Sequence, residues 1–318
     1  MARRIDEPTP GLLLVDKPAG WTSHDVVARS RRILNTRKVG HAGTLDPMAT
    51  GLLVLAVGRA TRLLTYVTGH DKSYDATIRL GQSTITDDAE GEVTSTADAS
   101  SISDDALAAA IADLTGDISQ VPSSVSAIKV NGERAYARVR AGEEVALAAR
   151  PVTVSRFEVT AVRREGTMID VDATIDVSSG TYIRALARDL GAALGVGGHL
   201  TALRRTRIGR FDVASARTVD ALAALAGSGA DIPLIPLDEA AKAALPVLAL
   251  TEQEAVSLGF GKPLRERADE LTKPEHDDDF THDAAAVAPD GRVIALVRRV
   301  KGAAKPVIVF LPAGAARD

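Results

Sequence analysis

The chain has 318 residues, of which 45% are hydrophobic, and it carries a formal net charge of −4 with no cysteine. The length and apolar content indicate a substantial core and favour two unequal domains. The lack of cysteine excludes disulfides, thiolate nucleophiles and thiol-ligated zinc sites. No apolar run reaches the length of a membrane span, and residues 1–8 lack the apolar segment of a secretory signal. We therefore predict a cytoplasmic protein that does not bind membranes.

The first predicted elements are a buried strand and an amphipathic helix. Apolar residues 11–15 predict the strand, which ends at a turn containing Pro18 and Gly20. Ser23 is a candidate N-cap for a helix that runs to Leu34, with arginines on its outer side.

Residues 39–51 place one carboxylate, Asp46, in a glycine-flanked turn directly before Pro47. An apolar run at 52–57 follows and predicts a buried strand. A carboxylate on a tight turn beside such a strand is held rigidly and still reaches a cleft, which suits a nucleophile. Asp-Pro is also a common helix start, in which the aspartate only caps the backbone. The local pattern allows both roles.

Two later segments alternate polar and apolar residues and predict half-buried strands, Tyr74–Leu80 and Met168–Ser178. Between them, the acidic and alanine-rich residues 94–117 predict a surface loop and then a helix. Thr181 is a candidate cap for a helix with one apolar face. That helix places Arg184 in its first turn, off the apolar face.

Two further regions predict appended elements. Asn131-Gly132 is a hairpin signal within residues 120–150, whose several basic side chains indicate a protruding basic element. Glycine and proline at 226–236 predict an irregular connector. Short apolar segments at 284–288, 292–300 and 307–311 then predict a small β-rich domain.

Charge is segregated along the sequence. Acids dominate residues 87–117 and 266–283, whereas residues 29–38 and 204–210 are rich in arginine. Such segregation can create one positive face on a globally acidic protein. It is equally typical of solvated helix faces, so the sequence leaves both interpretations open.

Seven motifs, in order and at similar spacing, resemble those of the bacterial tRNA pseudouridine-55 synthase family, the TruB type. They are Leu14-Val15-Asp16-Lys17-Pro18; Gly40-His41-x-Gly43-Thr44-Leu45-Asp46-Pro47-x-Ala49-Thr50-Gly51; Gly58-x-Ala60-Thr61-Arg62; Lys72-x-Tyr74; Arg79-Leu80-Gly81-x-x-Thr84 with Asp87-Asp88-Ala89-Glu90-Gly91; Ser126-Ala127-x-Lys129-x-x-Gly132; and Gly180-Thr181-Tyr182-Ile183-Arg184 with Asp189-Leu190-Gly191 and Leu203-Arg204-Arg205.

The resemblance implies an α+β fold with a mixed, mainly antiparallel central sheet flanked by helices. It implies a pseudouridine synthase catalytic domain over residues 1–240. It also implies a small β-barrel, PUA-like RNA-binding domain over residues 245–313.

The implied activity is isomerisation of a uridine in the tRNA T-loop, at position 55, to pseudouridine. The reaction is neither redox nor hydrolytic, so no metal and no nucleotide cofactor is implied. Asp46 would be the nucleophile, held ionised by Arg184. Tyr74 would stack on the flipped uracil and assist proton removal.

The resemblance extends to residues that would contact the RNA or support the site. His41 would contact the RNA near the extruded nucleotide, Leu203 would pack against the target base, and Asp88 would join a polar network with Arg184. Arg204 and Arg205 would bind phosphates together with the other basic segments. Lys17, Tyr182 and Lys129 are further candidate substrate contacts because they lie in the matched motifs.

The expected partner is tRNA at its T-loop and elbow, with the target base flipped out of its loop. No obligatory protein partner is implied, and a monomer is expected. A different hypothesis is an RNA-binding factor that helps tRNA fold, with catalysis secondary or absent. A third is an aspartate-nucleophile hydrolase or phosphotransferase, which would need magnesium and clustered acids; no Asp-x-Asp surrounds Asp46.

Overall fold

The computed structural model shows an α+β protein built on an eleven-stranded mixed sheet, with a separate four-stranded sheet near the C-terminus. It describes residues 8–123, 129–130, 133–134, 147–273 and 282–311. The predicted α+β fold class is confirmed.

Seven α-helices lie in the described ranges. They are α1 (Ser23–Ile33), α2 (Leu64–Thr68), α3 (Asp104–Asp113), α4 (Ile183–Ala193), α5 (Val219–Ser228), α6 (Leu237–Ala244) and α7 (Glu252–Gly259). Short 3-10 helices are Gly58–Leu63, Val213–Ser215 and Ala268–Glu270. Of the helices in these ranges, none has both the length and the apolar character needed to cross a membrane.

The strands are β1 (Gly11–Lys17), β2 (Val39–Ala42), β3 (Thr50–Val57), β4 (Lys72–Leu80), β5 (Gln82–Thr84), β6 (Val93–Thr96), β7 (Gly116–Gln120), β8 (Lys129–Val130), β9 (Glu133–Arg134), β10 (Arg150–Glu165), β11 (Met168–Val177), β12 (Gly198–Ile208), β13 (Phe211–Asp212), β14 (Arg217–Thr218), β15 (Ile235–Pro236), β16 (Val247–Ala249), β17 (Ala284–Val287), β18 (Val293–Val300) and β19 (Ala303–Val309).

The large sheet runs in the order β14-β1-β3-β12-β4-β11-β10-β7, with β2, β13 and β15 paired at its margins. The β1–β14 and β3–β12 pairings are parallel, and the other pairings in this sheet are antiparallel. This agrees with the expected mixed, mainly antiparallel sheet. Its centre, β3-β12-β4-β11, carries the strands that flank the candidate site.

Side-chain alternation fixes the two faces of the central strands. In β11 the apolar residues are buried on one face, against α4, and the intervening acids lie on the other. Arginines of neighbouring strands pair with those acids, as in Arg79–Asp170 at 2.7 Å and Arg163–Asp172. These acids on the polar face are therefore paired with arginines of the protein itself, and the apolar face forms the core.

The second half of β12 lacks the usual polar–apolar alternation of a strand, because Arg204, Arg205 and Arg207 occupy it. Its register is set by close approach to β3 at Gly51, which has φ +95°. A side chain on Gly51 would place its Cβ 2.9 Å from the backbone nitrogen of Arg205 and closer still to its carbonyl oxygen. Only glycine permits this approach, which brings Arg205 beside the Asp46 turn.

Three local predictions were wrong. The N-cap of α1 is Thr22, which forms a capping box with Asp25, because the Ser23 hydroxyl is used by the Asp46 turn instead. The N-cap of α4 is Tyr182, and Thr181 bonds back to Ser178. The predicted irregular connector at 226–236 contains the end of α5 and the short strand β15.

The predicted basic element at 120–150 lies largely outside the described residues. Within it, β8 pairs antiparallel with β9, on either side of Asn131-Gly132.

At the other end of the chain, β16, β17, β18 and β19 form one four-stranded sheet, and within the described part of the chain they do not close into the expected barrel. The domain boundary predicted between residues 240 and 245 falls at the end of α6.

A buried polar cluster joins the small C-terminal sheet to α2. The Tyr66 hydroxyl donates to Asp283 at 2.7 Å, and Arg298 Nε donates to the same carboxylate at 2.6 Å. Asp283 is fully buried. Burial raises the pKa of Tyr66, and its hydrogen bond to Asp283 acts in the same direction, so the phenol stays protonated and donates.

We expect Asp283→Ala to destabilise the protein by about 3–5 kcal/mol, because it leaves the Arg298 charge without its buried partner. Equilibrium urea unfolding measures the change. Asp290→Ala is the matched control: it removes an ion pair with Arg292 that is about half exposed, and it should cost about 1 kcal/mol or less. Equal losses for the two variants would show that the buried cluster has no special role.

Candidate active site

A cavity of about 300 Å³ opens beside the central sheet, at the small end of the range typical for ligand pockets. Its wall is formed by the turn after β2 (43–46), the loop after β11 with the start of α4 (179–184), Thr68 of α2, and side chains of β4 and β12. The structure thus brings together six residues that the sequence had singled out: Asp46, Tyr74, Tyr182, Arg184, Leu203 and Arg205.

The turn that carries Asp46 is held by hydrogen bonds to its backbone on both sides of the aspartate. The Ser23 hydroxyl bonds both backbone groups of Leu45, at 2.9 and 3.1 Å. The carbonyl of Pro47 accepts from Gly20 N at 2.8 Å and from Lys17 Nζ at 3.1 Å. The carboxylate is thus presented by a fixed backbone.

Asp46 does not cap a helix. Residues 43–49 contain no helical turn, and the side chain points instead to Arg184. Arg184 Nε lies 3.1 Å from Asp46 Oδ2, and Nη2 lies 3.4 Å from Oδ1. This two-point contact fixes both the position and the orientation of the carboxylate.

Arg184 is itself buried and held from its other side. Its Nη1 donates to the carbonyl of Thr86 at 2.9 Å and to Asp88 Oδ2 at 3.4 Å. The Asp88 carboxylate is buried and accepts a hydrogen bond from the Thr86 hydroxyl at 2.5 Å. The guanidinium therefore lies between a buried carboxylate and a cavity-facing one, in the polar network that the sequence analysis expected for Asp88.

Opposing effects set the proton affinity of Asp46. Burial raises the pKa of its carboxyl, the Arg184 charge lowers it, and the nearby Asp88 charge raises it; the net direction is upward from 3.8. The native state then holds this proton more tightly than the unfolded chain. For this group alone, the free energy of unfolding falls as pH rises from 3.8 through the raised pKa.

Tyr74 and Leu203 give the cavity an apolar surface. They lie on paired strands, β4 and β12, and both side chains are mostly buried. The Tyr74 hydroxyl has no hydrogen-bond partner within the described ranges. An aromatic face, a leucine and a phenol group are well suited to hold a flat polar ring.

Gln120, which the sequence did not single out, positions the backbone of Tyr182. The buried Gln120 accepts from Tyr182 N at 2.8 Å and donates to its carbonyl oxygen at 3.1 Å. The oxygen and nitrogen of the Gln120 side-chain amide thus fix the backbone of the N-cap residue of α4, two residues before Arg184. A glutamine at the end of β7 gives no signal of this role in the sequence.

Lys72 lies in one of the seven motifs, but the sequence does not show what its side chain does. Its ammonium donates to the carbonyls of Thr68 and His70 at 2.9 and 2.8 Å, and reaches the Ser179 hydroxyl at 3.4 Å. Burial lowers the pKa of Lys72 to about 8, with a smaller lowering effect from Arg205. The side chain ties α2 to the loop that leads to Arg184.

Two candidate RNA contacts, Lys17 and Arg205, have buried side chains that form hydrogen bonds within the protein. Lys17 Nζ donates to the carbonyls of Pro18, Trp21 and Pro47. Arg205 donates to the carbonyls of Leu52 and Gly43, at 2.8 and 2.9 Å, and only 1% of the residue is exposed. Both cations are therefore already engaged by backbone carbonyls, and Arg205 also lines the cavity.

The remaining predicted residues are placed as follows. Arg204 is partly exposed but forms a two-point ion pair with Asp16, at 2.8 and 3.0 Å. His41 lies on β2 with its ring 5.5 Å from that of His24, and its Nδ1 is buried without a hydrogen-bond partner in the described part of the protein. Burial and then the His24 charge lower the pKa of His41. The backbone of Lys129 belongs to β8, and its side chain lies outside the described residues.

No cluster of three or more histidine, aspartate or glutamate side chains suited to bind a metal ion occurs in the described ranges. The chemistry that the described site offers is that of a rigidly held carboxylate, a guanidinium and a phenol. These groups suit nucleophilic attack and proton transfer on a planar ring.

Family models match nearly the whole chain. The N-terminal domain of the TruB family of pseudouridylate synthases matches residues 31–183. The C-terminal domain of tRNA pseudouridylate synthase B matches residues 184–240, and the C-terminal model of tRNA pseudouridine synthase II matches residues 245–311.

Curated relatives and solved structures agree with these matches. The tRNA pseudouridine synthase B of Arthrobacter sp. (strain FB24) is 59% identical over 304 residues, covering 95% of this chain and 97% of the relative. That of Nocardia farcinica is 57% identical, covering 98% and 96%. A Cbf5-Nop10-Gar1 complex has a chain with a TM-score of 0.69 and 27% identity, covering 95% of this chain and 85% of that one.

We expect the Asp46 carboxyl to titrate above 3.8 and Asp88→Asn to lower its pKa, because that substitution removes a neighbouring negative charge. The ¹³C signal of the carboxyl group, assigned by comparison with Asp46→Asn, measures both values. Asp75→Asn, an exposed change on the polar face of β4, is the control and should leave the pKa unchanged. A pKa that rises or stays constant in Asp88→Asn would contradict the charge arrangement described above.

Proposed function

This chain belongs to the TruB family of pseudouridylate synthases, and on that premise we propose that the tRNA uridine it isomerises is the T-loop uridine at position 55. Relatives named tRNA pseudouridine synthase B are 54–59% identical over most of the chain, so conversion of uridine to pseudouridine in tRNA is its activity. The observation that carries the proposed mechanism is the Asp46 carboxylate, aimed into the cavity by Arg184.

The reaction exchanges one bond between base and sugar for another. The bond from ribose C1′ to uracil N1 breaks, the ring turns, and a bond from C1′ to C5 forms. C5 loses its proton and N1 gains one, so the product has the same composition as the substrate. A closed site that holds the detached ring is required, because the ring must turn without escaping.

We assign the nucleophile role to Asp46, which would form a transient covalent bond with the substrate. Arg184 keeps the carboxylate ionised and oriented. Tyr74 and Leu203 would sandwich the extruded uracil, and the Tyr74 hydroxyl would assist removal of the C5 proton. His41, two residues before Gly43 at the cavity mouth, would contact the RNA beside the extruded nucleotide.

We propose that the protein acts as a monomer in the cytoplasm, without an obligatory protein partner. The supporting observation is that the described residues of a single chain already bring the Asp46 carboxylate, the Arg184 guanidinium and the Tyr74 phenol together in one cavity. We assign catalysis to residues 1–240 and additional RNA binding to the small domain at 245–313. The T-loop would be recognised with its target base flipped out of the stack.

Asp46→Asn tests the nucleophile. We expect pseudouridine formation on an unmodified tRNA transcript to fall by a factor on the order of 10,000 or more, because an amide cannot form the covalent bond. RNA binding should stay within a few-fold of wild type. Pseudouridine mapping and a filter-binding assay measure the two quantities.

The control for that experiment is Asp75→Asn, which removes the same charge from the exposed face of β4. It should keep wild-type activity. Pseudouridine formed by Asp46→Asn at the wild-type rate would refute the nucleophile assignment. A wild-type protein that binds the transcript but forms no pseudouridine would instead support the tRNA-folding hypothesis.

Tyr74→Phe keeps the aromatic face and removes only the hydroxyl. We expect kcat to fall by about 100- to 10,000-fold with little change in KM, because proton transfer is impaired while stacking is retained. Tyr74→Leu should also raise KM, since it removes the stacking surface. Single-turnover kinetics on a T-arm stem-loop separates the effects, and an unchanged kcat in Tyr74→Phe would exclude the hydroxyl from the chemistry.

A further inference from the structure

The arginines nearest the cavity are bound within the protein. Arg184 and Arg205 are buried, Arg204 pairs with Asp16, and Arg188 bonds Asp189 and the carbonyl of Val121. An RNA substrate carries one negative charge per phosphate, so cations available for binding it must lie elsewhere. Their position indicates where the RNA backbone runs.

Arg29 and Arg32 are such cations. Both are exposed on α1, and neither guanidinium group has a hydrogen bond or ion pair to the residues that the structure describes. They line a surface groove of about 350 Å³ together with Gly20, Trp21, Asp25 and Ala28. Asp25, Ala28, Arg29 and Arg32 recur at helical spacing and so share one face of α1.

Trp21 gives this groove an aromatic wall. The side chain is half-buried and packs partly on the apolar cluster beneath α1, where Val26 and Val27 lie. Its position is thus fixed by packing while it still borders the groove. A fixed aromatic ring beside free guanidinium groups is the usual arrangement for binding unpaired nucleotides.

The groove is directly connected to the catalytic turn. Gly20 N donates to the carbonyl of Pro47, the residue after Asp46, at 2.8 Å. The Lys17 ammonium bridges the carbonyls of Trp21 and Pro47, at 2.6 and 3.1 Å. Trp21 and Asp46 therefore lie on two adjacent turns held at a fixed separation.

One acid faces the groove, and it is already partly engaged. Oδ2 of Asp25 accepts from the Thr22 backbone nitrogen at 2.9 Å and from the Thr22 hydroxyl at 2.6 Å. These bonds lower the pKa of Asp25, so it stays charged. With two arginines opposing one aspartate, the groove keeps an excess of positive charge and favours an anionic ligand.

We propose that the groove formed by Trp21, Arg29 and Arg32 is a binding subsite for an unpaired nucleotide of the substrate RNA, adjacent to the uridine extruded into the cavity. Trp21 stacks on the base, and the two guanidinium groups bind flanking phosphates. The inference rests on the proposed function, since it takes the extruded uridine at Asp46 as its reference point.

Trp21 is the only tryptophan of the chain, so its fluorescence reports on the groove directly. We expect its emission to be quenched when a T-arm stem-loop is added to the wild-type protein, with the same apparent Kd as filter binding. Trp21→Leu should weaken RNA binding by about 5- to 150-fold, the usual loss for one stacked base. Trp21→Phe should bind nearly as well as wild type.

The cations are tested by the double variant Arg29→Gln/Arg32→Gln. It should raise KM at least about 10-fold, leave kcat unchanged, and reduce the salt dependence of log Kd by about 0.7 for each lost phosphate contact. The matched control is Arg156→Gln/Arg163→Gln, which removes the same charge from arginines already paired with Glu158 and Asp172. The control should change KM by less than about two-fold.

Different outcomes separate the two proposals. If wild-type protein forms no pseudouridine on the transcript, the proposed function fails. If it forms pseudouridine, but Trp21 emission is unaffected by RNA and the double variant matches its control, only the groove proposal is overturned. The exposed arginine variants keep the test valid even if Trp21→Leu fails to fold.

Discussion

The contact between Arg184 and Asp46 is the interaction on which the site depends. A carboxylate beside an apolar wall loses hydration, so its charged form must be stabilised by the protein. Arg184 does this through two contacts, at 3.1 and 3.4 Å, but it also needs a partner on its other side. Asp88 and the carbonyl of Thr86 supply that partner. Asp46, Arg184 and Asp88 therefore form a carboxylate–guanidinium–carboxylate series at the N-terminal end of α4.

This arrangement explains why so many cations near the site are structural. Lys17 and Arg205 fix the two ends of the Asp46 turn by donating to backbone carbonyls, and Lys72 fixes the opposite wall. Their charges also act on the carboxylate: both Lys17 and Arg205 lower the pKa of Asp46. Burying these cations costs hydration, and each is compensated by two or three carbonyl or hydroxyl acceptors. Rigidity and electrostatics at Asp46 thus come from the same residues.

The sequence revealed those features that local patterns determine. Alternation in Met168–Val177 predicts a strand and its buried face, and the motifs around Asp46, Tyr74 and Arg184 predict residues that do meet in one cavity. It did not reveal features that depend on distant partners. The local sequence predicts that Ser23 caps a helix, but its hydroxyl forms a hydrogen bond with Leu45, which is 22 residues away. The arginine-rich segment predicts that Arg205 is a surface cation, but the close approach of β12 to Gly51 buries it.

The burial of Arg205 bears on how an acidic protein binds RNA. A cluster of arginines in sequence does not make a positive surface when its members are used to join strands. In β12, Arg204 and Arg205 lie next to each other but face opposite sides of the sheet, one toward Asp16 and one into the core. Two guanidinium groups without a partner among the described residues lie instead on the outer face of α1, where helical spacing places Arg29 and Arg32 together. Charge available to a ligand is set by which cations the fold leaves unpaired, and the net charge of −4 carries no information about that.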